Sequence, residues 1–256
     1  MKYIIATDYD GTLFQYHKGG ISEKVVKAIR EFRSKGNLFG VVSGRCYKWT
    51  YPVFKKEGLF DFDFIISNGG AQCCDINGDF IFSDKISKSG FARSFVEKLF
   101  SMGAEECGIT FEKSRFNFSP SLPDGEGAYS PFSSLDSCNE VSSAHGVFCD
   151  SDEAVKAENI LLAEFSDIIN IARNDRCLDV TAKGVNKATG IGKYAGIMGV
   201  SYENIYVAGD NYNDLPMIKA YHGCAVSNAV DELKKSAEYV LDDLSELVEI
   251  ILCKEN

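Results

Sequence analysis

The sequence has 256 residues, of which 45% are hydrophobic and 12% aromatic, enough apolar material to bury a core and offset the entropy of ordering the chain. Its net charge of -10 opposes nucleic-acid backbones and anionic membrane surfaces, so neither nucleic acid nor a membrane is expected as a partner. A small anionic ligand is not excluded, because a local cation can invert the sign of the field inside a pocket. The chain opens without a basic segment followed by a long apolar one, and no apolar run approaches the roughly 20 residues of a membrane-spanning helix. The nine cysteines are scattered with no CxxC pair, so free, mostly buried thiols in a reducing cytoplasm are expected. His17, His145 and His222 lie far apart without ligand spacing, which argues against a structural zinc site.

The first element expected is a buried strand over Lys2–Thr7. Ser22 is an N-cap candidate, Val25, Val26, Ile29 and Phe32 recur at helical spacing, and Gly36 ends that helix. Strand-like runs follow at Leu38–Val42 and Phe62–Ile66, with a helix around Trp49–Glu57 between them. Alternating strands and helices predict a parallel sheet covered on both faces. Ala71–Asp75 and Asp79–Ser83 flank Asn77-Gly78, a hairpin signal. The texture then changes: a helix over Phe91–Phe100, an extended Ile109–Phe118, and a Ser-, Pro- and Gly-rich stretch, Ser119–Glu140, read as a long surface loop. A helix over Ala154–Phe165 and two strands, Ile168–Ala172 and Cys177–Thr181, complete an α+β module. Regular alternation resumes with helices at Lys187–Met198, Asp214–Ala220, Glu232–Ser236 and Leu244–Leu252, and strands at Asn204–Ala208, Cys224–Val226 and Tyr239–Leu241. The expected fold is therefore α/β, a doubly wound, Rossmann-like parallel-sheet core formed by residues 1–82 and 185–256, with an inserted cap over 83–184.

Polar residues gather where the apolar strands stop. Asp8 and Asp10 follow the first strand in Thr7-Asp8-Tyr9-Asp10-Gly11-Thr12, Ser43-Gly44-Arg45 follow the second, and Asp210, Asn213 and Asp214 follow Asn204–Ala208. Ligands of open parallel sheets bind beyond these carboxyl ends. Carboxylates crowded together repel one another unless a cation sits among them, and hard oxygen donors without thiolate or imidazole favour Mg2+. With the repulsion screened, one carboxylate can attack a phosphate and a second can act as general acid and base, while Ser43 and a lysine hold the phosphoryl oxygens.

These residues resemble the haloacid dehalogenase-like (HAD) phosphatases, and within them the Cof-type branch, which carries a large cap between its second and third motifs. The resemblance spans nearly the whole chain. The first motif, DxDGT, is Asp8-Tyr9-Asp10-Gly11-Thr12; the second is Ser43 in Val41-Val42-Ser43-Gly44-Arg45. Ser67-Asn68-Gly69-Gly70-Ala71 resembles the stretch leading into the cap. The third motif fits Lys187 in Lys183-Gly184-Val185-Asn186-Lys187, followed by Ala188 where the branch often has Gly, and the fourth, GDxxND, is Gly209 to Asp214. The resemblance implies Asp8 as nucleophile and metal ligand and Asp10 as general acid and base with its backbone carbonyl on the metal. It implies phosphate binding by Ser43, Gly44, Lys187 and Asn213, Asp210 as a Mg2+ ligand, and Asp214 supporting that shell. The implied activity is hydrolysis of small phosphomonoesters, sugar phosphates or related metabolites, through an aspartyl-phosphate. A sugar phosphomutase using the same nucleophile, and a regulatory domain phosphorylated on aspartate, are the alternatives.

Several residues admit plainer readings. Lys183 competes with Lys187 for the third motif. Gly190-Ile191-Gly192-Lys193-Tyr194-Ala195 fits a dinucleotide fingerprint formally, but its glycines fall inside a helix rather than after a strand, so a packing role is expected. Arg45 either contacts substrate or holds the second-motif loop. Arg115, Arg173 and Arg176 fall in the cap and are read as solvated charges, and Tyr47, Trp49 and Tyr51 as structural aromatics.

Overall fold

The computed structural model describes residues 2–56 and 62–254. Its first strand, β1 (Ile4–Thr7), is buried at every position, as a continuous apolar run requires. In α1 (Glu23–Ser34) the Ser22 hydroxyl accepts the Val25 N–H at 3.3 Å, and Val25, Ile29 and Phe32 form the buried face. Strand β2 (Leu38–Val42), helix α2 (Tyr47–Lys56) and strand β3 (Phe64–Ser67) follow, and the Glu57 end expected for α2 lies outside the described residues. Strands β4 (Gln72–Asp75) and β5 (Phe80–Ser83) make the hairpin that Asn77-Gly78 announces; Asp75 Oδ1 accepts the N–H groups of Asn77 and Asp79 at 2.8 and 2.9 Å.

Next come α3 (Phe91–Ser101), β6 (Glu106–Phe111), β7 (Ser114–Phe118), β8 (Val141–Val147), α4 (Ser151–Phe165), β9 (Ile169–Asn174) and β10 (Cys177–Ala182). Three expectations are corrected here. The single extended run Ile109–Phe118 is two antiparallel strands turning at Glu112, whose φ of 52° reverses the chain. The Ser119–Glu140 stretch is not a plain surface loop. A 3-10 turn at Phe132–Ser137 buries Leu135 in the core of this module, and the Phe132 ring stacks on Phe100 with centroids 5.5 Å apart. Strand β8 was not anticipated, because Val-Ser-Ser-Ala-His-Gly-Val carries no apolar alternation. It nevertheless lies in the middle of its sheet and is buried at every position but its last.

The chain then returns through α5 (Lys187–Met198), β11 (Ile205–Gly209), α6 (Leu215–Ala220), β12 (His222–Val226), α7 (Asp231–Ser236), β13 (Tyr239–Leu241) and α8 (Leu244–Lys254). One eight-stranded sheet runs β13-β12-β11-β1-β2-β3-β4-β5, parallel from β13 to β3 and antiparallel beyond. Helices α1 and α8 cover one face through Ile29, Phe32, Leu247 and Ile251. Helices α5, α6 and α7 cover the other through Ile191, Tyr194, Met217 and Leu233. Gly190 lets α5 approach the chain at Gly70: a Cβ there would stand 2.7 Å from the Gly70 carbonyl oxygen, so the fingerprint-like glycines pack a helix.

The second sheet, β7-β6-β8-β10-β9, is antiparallel. Helices α3 and α4 pack on one side of it through Phe91, Phe95, Leu99 and Leu161. The molecule is thus α/β, with a mainly parallel sheet and a separate α+β layer inserted into it. Strand β1 pairs with β2, its successor in the chain, and with β11, which arrives some two hundred residues later. This change of direction opens a crevice beyond the carboxyl end of β1, where Asp8 stands.

Candidate active site

Asp8 follows β1 directly, its N–H bonded to the Ala208 carbonyl at 2.9 Å, so its carboxylate projects from the sheet edge. Lys187 reaches it from the start of α5. The Asn186 side chain accepts the Thr189 N–H at 3.1 Å and the Thr189 hydroxyl accepts the Asn186 N–H at 2.9 Å, a reciprocal cap that fixes the first turn. The Lys187 ammonium donates to Asp8 Oδ1 at 2.6 Å and also to Asp214 Oδ1. Asp214 is wholly buried, and its Oδ2 accepts the N–H groups of Asp210 and Asn211 at 2.9 and 3.1 Å. Gly209 is required for this turn, because a Cβ would stand 2.5 Å from Asp214 Cβ. Asp210 Oδ1 accepts the Thr12 hydroxyl at 2.8 Å. Gly11, at φ 86°, keeps clear of the Asp210 carboxylate, which any Cβ there would strike. Asp8 and Thr12 of DxDGT, Asp210 and Asp214 of GDxxND, and Lys187 are therefore joined by hydrogen bonds, and Lys183 makes none of these contacts.

Burial pushes the Asp8 carboxyl up to about 8; Lys187 pulls it down, and the carboxylates of Asp214 and Asp210 push it further up. Burial likewise pushes Asp210 up to about 6, against the hydrogen bond from Thr12. For Lys187 burial disfavours the charge, but Asp214 and Asp8 outweigh it and hold the ammonium above its ordinary value. One ammonium thus faces three carboxylates whose oxygens lie within 4.8 Å of one another. This excess of negative charge suits a small divalent cation, and the donors are all hard oxygens. The Asp214 oxygens are engaged by Lys187 and two backbone N–H groups, while Asp8 and Asp210 each accept one side-chain hydrogen bond through Oδ1, from Lys187 and Thr12.

Asp10 stands apart from that cluster. Arg45 grips its carboxylate through Nε at 2.7 Å and Nη2 at 2.5 Å, and the Tyr16 hydroxyl donates to the same group at 2.5 Å. Ser43 is buried; its Oγ accepts the Arg45 N–H at 3.1 Å and its carbonyl accepts the Gly69 N–H at 3.0 Å. The loop Asn68-Gly69-Gly70 has left-handed backbone throughout, and the Asn68 N–H bonds the Arg45 carbonyl at 2.8 Å. That loop braces the second motif, which explains why Ser67–Ala71 carries so much glycine. Arg45 therefore ties into the second-motif loop through its backbone, the second of the two roles open to it from the sequence, and its guanidinium binds Asp10, a contact the sequence did not suggest.

The cap supplies the opposite wall. A cross-strand row, Asn117, Gly108, His145 and Asp179, lies on one face of its sheet. Arg115, His145, Asn174, Cys177 and Asp179 line a cavity of about 400 Å3 together with Asp8, Asp10, Ser43, Gly44, Asp210 and Asn213. Arg115 donates to the His145 ring and, through Nε, to Asn117 Oδ1 at 3.1 Å. Burial lowers His145 and raises Asp179 relative to their ordinary values. Of the three cap arginines, Arg115 lines this cavity, Arg173 lines an adjoining one, and Arg176 is an exposed partner of Glu105. His145 and Asp179 were not placed in the site from the sequence; Asp179 offered one signal, a lone carboxylate between apolar residues of an expected strand, and His145, in an unanticipated strand, offered none.

Residues 5–247 match the family of haloacid dehalogenase-like hydrolases. The chain belongs to this family, in its Cof-type phosphatase branch. A Bacillus subtilis relative, the 5-amino-6-(5-phospho-D-ribitylamino)uracil phosphatase YcsE, is 28% identical over 243 residues, covering 93% of this chain and 89% of the relative. The chain spans half the length (50%) of a Streptococcus pyogenes relative named for phosphatase and peptidyl-prolyl cis-trans isomerase activities, with 25% identity. Among solved structures, the subclass IIB sugar phosphatase BT4131 superimposes with a TM-score of 0.81 at 20% identity, over 97% of this chain and 98% of that one. The phosphatase BT1666 of Bacteroides thetaiotaomicron gives 0.78 at 22% identity, over 98% and 94%. Among the described residues no helix is long and apolar enough to cross a membrane. The nine cysteines are free thiols, of which Cys149 and Cys253 are exposed.

Proposed function

We propose that the protein is a Mg2+-dependent phosphatase of small phosphomonoesters, sugar phosphates or related metabolites, acting through an aspartyl-phosphate on Asp8. The observation that carries this reading is the buried Lys187 ammonium bonded at once to Asp8 and Asp214, beside Asp210. Lys187, Ser43, Gly44 and Asn213 hold the phosphoryl oxygens. An Asp8 oxygen attacks phosphorus, the ester P–O bond breaks, and Asp10 gives its proton to the departing alcohol oxygen. Asp10 then takes a proton from water; the water oxygen attacks phosphorus, the Asp8–phosphate bond breaks, and inorganic phosphate and free Asp8 result. Mg2+, held by Asp8, Asp210 and the Asp10 carbonyl, would neutralise charge between Asp8 and the incoming phosphate. Burial pushes the Asp8 carboxyl up to about 8 even beside Lys187, and a further cation against it would favour the ionised nucleophile. Arg45 and Tyr16 orient Asp10 between its two proton transfers.

The cap, residues 83–184, closes on the core, 1–82 and 185–256, excluding water and meeting the leaving group. The name of the Bacillus subtilis relative points to a phosphorylated small molecule as the substrate class, and the net charge of -10 favours no nucleic-acid or membrane partner. The test is phosphate release from a panel of phosphorylated metabolites, with Mg2+ or with chelator, for wild type, Asp8→Asn and Asp10→Asn. Chelator and Asp8→Asn should abolish turnover, and Asp10→Asn should slow it by about 10²- to 10⁴-fold. Normal turnover by Asp8→Asn would make this mechanism wrong.

A further inference from the structure

The reaction cavity has a neighbour on the cap side. A second cavity of about 350 Å3 is lined by Arg45, Cys46, Trp49, Glu106, Arg115 and Asn117, and it shares Arg45 and Arg115 with the first. Trp49 is 49% exposed, unusual for the one indole of the chain. Its neighbours Tyr47 and Tyr51, one turn apart on the other face of α2, stack on each other at 5.6 Å, and Tyr47 meets Phe80 edge-on. They pack structurally, whereas Trp49 lines the second cavity, half-exposed and with the Lys48 ammonium 5.9 Å from its ring.

The polar groups there limit what fits. A second phosphate or a carboxylate would be drawn to two arginines, but each already has a carboxylate beside it. Arg45 is held bidentately by Asp10, and the charge of Arg115 acts on Glu106, which also accepts the Tyr129 hydroxyl at 3.1 Å. The two arginines that both cavities share are therefore each offset by an acidic neighbour. An aliphatic group would desolvate Glu106, Asn117 and the guanidinium planes without hydrogen bonds in return. A neutral planar ring with donors and acceptors on its edge suits all of them. Its faces stack on indole and guanidinium, and its edge meets the Asn117 amide and the Glu106 carboxylate.

We propose that this outer cavity is a leaving-group subsite for an uncharged, hydrogen-bonding heteroaromatic ring, joined to the phosphate ester by a linker that passes between Arg45 and Arg115. Trp49 is its stacking surface. The proposal rests on the phosphatase reading of Asp8, and it narrows the substrate from compact sugar phosphates to ring-bearing ones.

Uridine monophosphate and ribose-5-phosphate serve as probes, because they share the phosphorylated sugar and differ by the ring. In the Asp8→Asn protein uridine monophosphate should saturably quench the fluorescence of Trp49, the single tryptophan, and ribose-5-phosphate should not. In the wild type kcat/KM should favour uridine monophosphate by about tenfold, the order of one base–aromatic stack. Trp49→Ala should bring that ratio to near one, and Trp49→Phe should keep most of it. Equal response of the fluorescence to both probes, or a ratio untouched by Trp49→Ala, overturns the subsite. If neither probe nor p-nitrophenyl phosphate is hydrolysed with Mg2+, the phosphatase reading falls instead, and the quench still decides the subsite.

Discussion

Replacing Lys187 by Met isolates the electrostatics of the site. Lys187 is 2% exposed and its two partners, Asp8 and Asp214, are 6% and 0% exposed, so water cannot take over its hydrogen bonds. The unbranched Met side chain fills most of the space and removes the charge. Breaking a buried ion pair from one side costs about 3–5 kcal/mol, because the partner's charge is left uncompensated. Two features set the expected value near the lower end, about 3 kcal/mol. Asp8, already pushed up to about 8, can absorb the loss by keeping a proton. Asp214 retains two backbone N–H groups on Oδ2 and loses its partner only at Oδ1. In a chain of this size each kcal/mol moves Tm by about 2–4 °C, so thermal unfolding in chelator at neutral pH should fall by about 6–12 °C. The double variant Lys187→Met with Asp214→Asn should recover roughly half of that, since the orphaned charge is then gone. A single-variant Tm within about 2 °C of wild type would refute the claim that this ammonium holds the carboxylates together.

The metal-free protein should also show Asp8 in its pH dependence. The Asp8 carboxyl keeps its proton to about 8 in the folded state, against 3.8 for the free side chain. Its raised value means a contribution to stability that is full below 3.8 and lost as pH rises through about 8, with a slope of at most about 1.4 kcal/mol per pH unit. Lys187 also has a raised value, but its contribution is lost only at more alkaline pH than this window. In chelator, Asp8→Asn should therefore gain stability over wild type as pH rises from 5 to 8, measured by denaturant unfolding; a constant difference across that range would contradict the buried-carboxyl argument. In the cap, Gly108→Ala would place a Cβ against the His145 ring, which lies across that glycine to reach Arg115. The substitution should cost about 1–3 kcal/mol and shift the His145 ring signals in NMR spectra. Unchanged signals would mean that the ring does not depend on that gap.

Much of the catalytic edge could be read in the sequence because it is local. Asp8 and Asp10 follow an apolar run, and Gly11 and Gly209 are the residues that tight turns beside carboxylates demand. Lys187 was named by resemblance among two lysines; its choice over Lys183 became visible as geometry only through the Asn186 cap that turns it toward Asp8. Asp214 was expected by resemblance to support the metal shell, and only the structure shows its three hydrogen bonds, from Lys187, Asp210 and Asn211. The cap was harder to read. Strand β8 hides its burial because its polar side chains find partners from distant segments, Ser142 with Gln72, Ser143 with Asn68 and His145 with Arg115. The Ser119–Glu140 stretch looked solvated by composition, yet one leucine, Leu135, anchors it in the cap core.

The sequence alone determined the layered order of strands and helices, the acidic character and the positions of carboxylates at strand ends, since each depends on residues within a turn or two of one another. Tertiary structure decided what those carboxylates face. Only folding brings a lysine 179 residues from Asp8 within hydrogen-bonding distance of it. Folding alone sets Arg45 against Asp10 and lays Arg115, His145 and Asp179 over them. Such contacts join segments distant in the chain, and no local pattern of spacing or hydrophobicity records them.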